Sequence, residues 1–135
     1  MALIIWNQKY SVGINSIDLQ HQKLIGIINE LNDAMRTGKS KEVLSGILTS
    51  LTNYTKVHFK YEEDIFNKLN YADKNAHKMK HDKLTQEVIN FSADFNKGRL
   101  SVSIDLMNFL SDWLTKHIML EDKAYSTFLI QNGVK

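Results

Sequence analysis

The chain has 135 residues, of which 43% are hydrophobic and 24% charged, a balance typical of one globular domain with a packed core, here residues 1–135. It contains no cysteine, which excludes disulfides, iron–sulfur clusters, thiolate zinc sites and cysteine nucleophiles, and which fits a reducing cytoplasm. The net charge is +2 and the lysines are scattered, so solvated helix faces are favoured over a nucleic-acid interface.

The beginning of the chain predicts an irregular arm, residues 1–15, that packs across the rest of the domain. The arm contains Trp6, Tyr10 and Gly13 but no helical repeat of apolar residues. The longest apolar stretches of the chain, residues 2–6 and 24–28, are far too short to span a bilayer, and no basic segment precedes the first one. We therefore expect an unexported protein without membrane insertion.

Four long helices are predicted after the arm, at residues 16–36, 40–66, 73–97 and 102–128. The chain has no proline to interrupt them. Ser16, Ser40 and Asp73 are the predicted N-caps, and Gly38 and Gly98 follow predicted C-termini.

Each predicted helix carries apolar residues three and four apart, which line one face. These residues are Leu24, Ile28, Leu31 and Met35, then Leu44, Leu48 and Leu51, then Leu84, Val88, Phe91 and Phe95, and finally Leu106, Leu110 and Trp113. Short loops make neighbouring helices antiparallel. The sequence therefore predicts an all-α, up-down-up-down four-helix bundle over residues 16–128.

All five histidines extend these apolar faces. The histidines are His21, His58, His77, His81 and His117. Carboxylates accompany two of them, since Glu62 lies four residues after His58, and Glu121 and Asp122 follow His117. Antiparallel helices place all of these segments at one end of the bundle. A single buried histidine is more often a hydrogen-bonded core residue than a ligand, but burying five together without partners would cost on the order of 2–7 kcal/mol each.

A metal site removes that cost. So many imidazoles are too rich in nitrogen for magnesium or calcium and too numerous for one tetrahedral zinc, whereas iron, manganese and copper accept such a set. Two ions with bridging carboxylates fit best. Because oxygen-activating di-iron bundles use more carboxylates, reversible oxygen binding is favoured over oxidation chemistry.

The sequence resembles the hemerythrin family, in particular the bacterial single-domain bacteriohemerythrins, over nearly its whole length. The resemblance is carried by Trp6-Asn7 and Tyr10–Gly13 in the arm, by Asp18–His21, by His58–Glu63, by His77–His81 and by Trp113–Asp122. It implies two non-haem irons with an oxo or hydroxo bridge, and dioxygen as the ligand. His77, His81 and His117 would hold one iron and His21 and His58 the other, with Glu62 and Asp122 bridging both.

Helical geometry and the family pattern disagree about the last ligand. Glu121 lies four residues after His117 and would share its α-helical face, whereas Asp122 would be rotated away by roughly 140°. We follow the family and expect Asp122 to be the ligand, because a local widening of the helix is common at functional sites. Glu121 is then predicted to be solvated or to support a ligand.

The resemblance also implies an oxygen pocket, which Leu24, Phe59, Trp113, Leu114 and Ile118 would line, although ordinary core packing explains these residues equally well. Glu63, Lys56 and Lys60 are predicted to lie at the surface. Asp18 and Gln20 are candidates to orient His21.

Three uses of such a centre compete: oxygen carriage, storage or delivery; oxygen or redox sensing through a partner protein; and enzymatic reduction of oxygen or nitric oxide or repair of iron clusters. A non-enzymatic carrier is favoured, because sensors normally need an output domain and the repair branch of the family generally adds a cysteine-bearing segment. An oxygen-accepting protein is the expected partner, and a monomer is favoured.

Overall fold

The computed structural model describes residues 3–98 and 104–135, and their side chains except those of residues 104–106 and 121. Three long α-helices, α1 (Asn15–Arg36), α2 (Lys41–Leu69) and α3 (Lys74–Asn96), are followed by a helix in three parts. Its parts are α4 (Ile104–Lys116), a π-helical segment (His117–Asp122) and α5 (Lys123–Gln131). The predicted all-α, antiparallel four-helix bundle is confirmed, and the described residues contain no β-strand.

The helix ends match the predicted signals in part. The Ser40 side chain accepts a hydrogen bond from the Val43 N–H at 3.3 Å, and Gly38 and Gly98 adopt positive φ angles of 68° and 74° after their helices. Asp73 occupies the N-cap position of α3, but its side chain makes no capping hydrogen bond. The predicted start of the fourth helix, at residues 102 and 103, lies outside the described residues.

Ser16 is not an N-cap, so that prediction was wrong. Helix α1 begins one residue earlier, at Asn15, with Ile14 at the cap position. Ile14 is fully buried and fixes where the chain enters the helix. Ser16 lies in the first turn instead, where its hydroxyl accepts a hydrogen bond from the Tyr61 hydroxyl at 3.0 Å.

The arm packs across the bundle as predicted. The backbone N–H of Ile4 donates to the Asn29 side chain at 2.9 Å, and the Asn29 amide donates to the Ile4 carbonyl at 2.9 Å. Farther along, the Asp18 carboxylate accepts hydrogen bonds from the Ser11 hydroxyl at 2.6 Å and the Val12 N–H at 2.9 Å. These hydrogen bonds attach both ends of the arm to α1.

Two apolar clusters lie above and below the layer of histidines. The larger one joins α1, α2, α3 and α4 and includes Leu24, Leu51, Val88 and Leu114. The smaller one joins the arm and the start of α1 to α2 and α5, and it is formed by Val12, Ile14, Ile17, Phe66, Tyr71, Tyr125 and Leu129. The polar layer between them is therefore sealed from water on both sides. Within the described residues, no helix is long and apolar enough to cross a membrane.

Candidate metal centre

Seven side chains that could ligate metal form a buried layer across the bundle. Helix α1 supplies one of them, α2 two, α3 two and the π-helical segment two. Their relative exposures range from 0% to 6%: His21, His58, Glu62, His77, His81, His117 and Asp122. The structure therefore brings together all seven predicted ligand candidates.

These side chains form two overlapping groups, in each of which the potential ligand atoms lie within 4.8 Å of one another. One group consists of Glu62, His77, His81, His117 and Asp122. The other consists of His21, His58, Glu62 and Asp122. Because the two carboxylates belong to both groups, the geometry is compatible with two metal ions that share acidic ligands.

Asp122 faces both groups with different oxygen atoms. Its Oδ1 lies 3.1 Å from His117 Nε2 and 3.4 Å from His77 Nε2. Its Oδ2 lies 2.8 Å from His21 Nε2. Glu62 of α2 also contacts both groups, but with a single oxygen. Its Oε1 lies 3.2 Å from His58 Nε2 and 3.4 Å from His81 Nε2.

The π-helical segment explains how Asp122 reaches the layer. In a π-helix the backbone hydrogen bond joins residues five apart, so such residues lie much closer to one face than they do in an α-helix. His117 and Asp122 are the first and last residues of this segment. The expected widening of the helix is present at the predicted place. The Glu121 side chain, for which a solvated or supporting role was predicted, lies outside the described residues.

The surroundings keep both carboxylates ionised. Burial and the charge of Asp122 would raise the pKa of Glu62, but His58, by charge and hydrogen bonding, and His81 bring that pKa well below its usual range. Burial would likewise raise the pKa of Asp122, and His117 with two other histidines lowers it well below the ordinary value. Anionic carboxylates are the form that binds metal.

The polar atoms of the layer fit a metal centre better than a hydrogen-bonded core. Both oxygens of Glu62 and of Asp122, and the Nε2 atoms of His77 and His81, are buried and have no hydrogen-bond partner outside the layer in the described part of the chain. His21 Nε2 and His58 Nε2 face each other at 3.1 Å. Cations placed among these lone pairs would satisfy them, and imidazole with carboxylate is a donor set that iron accepts.

Two polar side chains orient the histidines from outside the layer. His58 Nδ1 lies 2.6 Å from Gln20 Oε1, and His81 Nδ1 lies 2.9 Å from Glu63 Oε2. Such contacts fix which ring nitrogen faces the metal. Glu63 is only 20% exposed in its side chain and also lies near Lys78, so the prediction that it lies at the surface was wrong.

The predicted supports of His21 also differ from the structure. Gln20 supports His58 rather than His21, because it projects from α1 toward α2. Asp18 binds the arm instead of the histidine. His21 Nδ1 has no hydrogen-bond partner among the described residues. Lys56 and Lys60 are exposed, as predicted.

Tyr125 was not singled out from the sequence, although it lies one turn after Asp122 on the same seam. It is fully buried between the layer and the smaller apolar cluster. Burial, and then the charges of Asp122 and Glu62, raise the pKa of the Tyr125 phenol well above its usual value. The phenol is therefore protonated beside the two carboxylates.

Apolar side chains close around the layer. Phe59 stacks on the His81 ring with a centroid distance of 3.8 Å and an angle of 1°. Trp113 lies nearly parallel to His117 at 6.4 Å. The other three expected pocket residues, Leu24, Leu114 and Ile118, belong to the larger apolar cluster with exposures of 0% to 1%.

The family model of the hemerythrin HHE cation binding domain matches residues 12–129. The chain belongs to the hemerythrin family. A bacteriohemerythrin of Methylococcus capsulatus is 35% identical over 130 residues, which cover 96% of this chain and 98% of the relative. A hemerythrin-like protein of Naegleria gruberi is 35% identical over 124 residues, which cover 92% of each chain.

Solved hemerythrins share this fold. The crystal structure of a wild-type hemerythrin superimposes with a TM-score of 0.88 at 34% identity, covering 93% of this chain and 97% of the other. A hemerythrin mutant with alanine in place of a leucine gives a TM-score of 0.89 at the same identity, with coverage of 94% and 97%.

Proposed function

We propose that this hemerythrin holds two non-haem irons and binds dioxygen reversibly, for carriage, storage or delivery. His77, His81 and His117 would hold one iron, and His21 and His58 the other. Glu62 and Asp122 would bridge the two. The observation that carries the proposal is the sharing of both carboxylates between two buried groups of ligand atoms.

The donor count suggests where dioxygen binds. One group has three histidines and the other has two, so the side of His21 and His58 would keep a vacant position. A bound iron pair would supply two electrons and that vacant position to dioxygen. The protein contributes a fixed arrangement of ligands and a wall that keeps water away.

A carrier is favoured over an oxidising enzyme by the chemistry of the ligands. Five imidazoles and only two carboxylates surround the site. Anionic oxygens stabilise high-valent iron, and this site has few of them. The apolar wall formed by Leu24, Leu114 and Ile118 would also slow the entry of water and protons that expel bound oxygen.

The test is metal content together with visible absorption. We expect about two irons per chain, as a seven-ligand dinuclear site requires. The reduced protein should gain a visible band in air and lose it when oxygen is removed, whereas a sample kept without oxygen stays colourless. Stoichiometric zinc, or one iron without an oxygen-dependent band, would refute the proposal.

A further inference from the structure

A groove between α3 and α4 has no part in the function proposed above. In the described part of the chain, α2 packs closely on both α1 and α3, whereas α3 and α4 approach each other at few points. The gap between them has a volume of about 550 Å³. Small-molecule sites have volumes of this order.

Each helix contributes one face to this groove, with residues spaced three and four apart. The lining residues are Lys80, Lys83, Leu84 and Glu87 from α3, and Phe109, Asp112, Trp113 and Lys116 from α4. The two faces are therefore built in the same way and lie opposite each other.

The groove has two chemically different ends. Because α3 and α4 are antiparallel, Lys80, Lys83 and Lys116 all lie at the end nearest the metal centre, next to His81 and His117 in sequence. Within the described residues, Lys83 and Lys116 are exposed and form no ion pair. This end is a concentration of positive charge that suits a phosphate group.

The rest of the lining is a floor of three apolar or aromatic side chains, Leu84, Phe109 and Trp113, bordered by two carboxylates, Glu87 and Asp112. Leu84 and Trp113 are partly buried, and Phe109 is 43% exposed although it is a large apolar side chain. Phe109 contacts Phe91 of α3 edge to face, with a centroid distance of 5.3 Å. Such a floor suits a planar aromatic ring.

Trp113 connects this floor to the metal centre. Its indole ring lies 6.4 Å from the His117 ring at an angle of 12°. The Trp113 Nε1–H is buried without an acceptor among the described residues, so one donor remains for a ligand to satisfy. A redox-active ring on this floor would lie one side chain away from a proposed iron ligand.

We propose that the α3–α4 groove binds flavin mononucleotide, with the ring on Leu84, Trp113 and Phe109 and the phosphate at the lysines. The proposal rests on the proposed di-iron function, since irons left oxidised when bound oxygen is expelled as peroxide or superoxide would need a reductant before they bind oxygen again. The dihydroflavin would release two electrons and two protons. An oxidised pair of irons held by the seven ligands would accept these electrons, one on each ion, and the two protons would pass to water.

Equilibrium dialysis of the purified protein with flavin mononucleotide tests the site, with the iron content measured on the same sample. We expect one flavin mononucleotide per chain. Replacing Lys83→Gln and Lys116→Gln together should weaken binding about tenfold, whereas Lys56→Gln on the exposed face of α2 should not change it. Riboflavin, which lacks the phosphate, should bind the parent protein about tenfold more weakly than flavin mononucleotide.

The outcomes separate this proposal from the proposed function. Absence of flavin binding, equal binding by the double variant, or equal affinity for riboflavin would overturn the flavin site even if two irons are present. Equal affinity for inorganic phosphate and for flavin mononucleotide would show that the ring contributes nothing, would reduce the site to an anion site and would also overturn it. Flavin binding that meets all three comparisons in a protein without iron would support the site and refute the di-iron function.

Discussion

His117 and Asp122 are five residues apart, a spacing that would separate their side chains in a regular α-helix. The π-helical segment between them brings Asp122 Oδ1 to 3.1 Å from His117 Nε2. The position of Asp122 in the metal layer therefore depends on the π-helical backbone, which the spacing of residues in the sequence does not reveal.

Replacing Asp122 with alanine should lower the iron content from about two ions per chain to one or none, because the carboxylate faces both groups of ligand atoms. The matched variant Glu121→Ala should keep the iron and the oxygen-dependent band. Metal analysis and visible spectra of both purified variants give the answer. Loss of iron only in Glu121→Ala would show that the assigned bridge is wrong.

A second single-residue prediction concerns Leu114, which borders the metal layer. It is 1% exposed and lies one turn before His117, in the apolar cluster that borders the layer. Leu114→Ala should cost about 2–5 kcal/mol of stability and open a cavity that admits water. We expect it to keep its iron but to lose the oxygen-dependent band in air faster than the parent.

Leu110→Ala is the matched control, because Leu110 is 2% exposed and lies one further turn away from the layer. It should cost comparable stability without changing the decay of the band. Equal decay in the parent and in Leu114→Ala, together with rapid oxygen consumption by the parent when a reductant is present, would favour an enzyme over a carrier.

At the scale of elements, the π-helical segment contains one residue more than an α-helix with the same two ends. Tyr125 and Leu129, which follow it, are buried, so the register of α5 is set by packing beyond the segment. Leu120 is 69% exposed, so deleting it should disturb the packing of the segment little.

Deleting Leu120 should convert the segment to an α-helix, place the aspartate four residues after His117, and leave α5 in register. We expect about two irons per chain to remain, as measured by metal analysis. Deleting the exposed Asp112 from the regular α4 is the control, because it rotates the following residues by about 100° and should abolish iron binding. Iron loss in both deletions would mean that the π-helical form itself is required.

At the scale of the whole molecule, every long helix contributes to the metal layer, and apolar clusters lie on both sides of it. Ions bound there would connect all four helices at one end of the bundle. The native state would then gain stability from metal binding, since the unfolded chain has no such site.

Removal of the metal by a chelator should therefore lower the melting temperature, by on the order of 10 °C if the metal contributes about 2.7 kcal/mol or more. Thermal unfolding followed by circular dichroism, with and without chelator, measures the shift. The Asp122→Ala variant should show a much smaller shift. An unchanged melting temperature in a parent sample shown to have lost its iron would contradict this coupling.

Much of the site could be predicted because its determinants are local in sequence. The pairs His58 with Glu62 and His77 with His81 lie four residues apart, so any helix through them puts both members on one face. Antiparallel packing then places the four segments at one end. Family resemblance, rather than helical spacing, selected Asp122.

The remaining features depend on contacts between helices that spacing does not specify. Glu63 forms a hydrogen bond with His81 across the α2–α3 interface, and Gln20 forms one with His58 across the α1–α2 interface. The open α3–α4 groove results from how far two helices stand apart. Periodicity in the sequence thus determined the bundle and the level of the metal layer, because side-chain direction follows from the helical repeat. Tertiary structure decided which polar groups support the ligands, because those partners lie far apart in the chain and meet only when the helices pack.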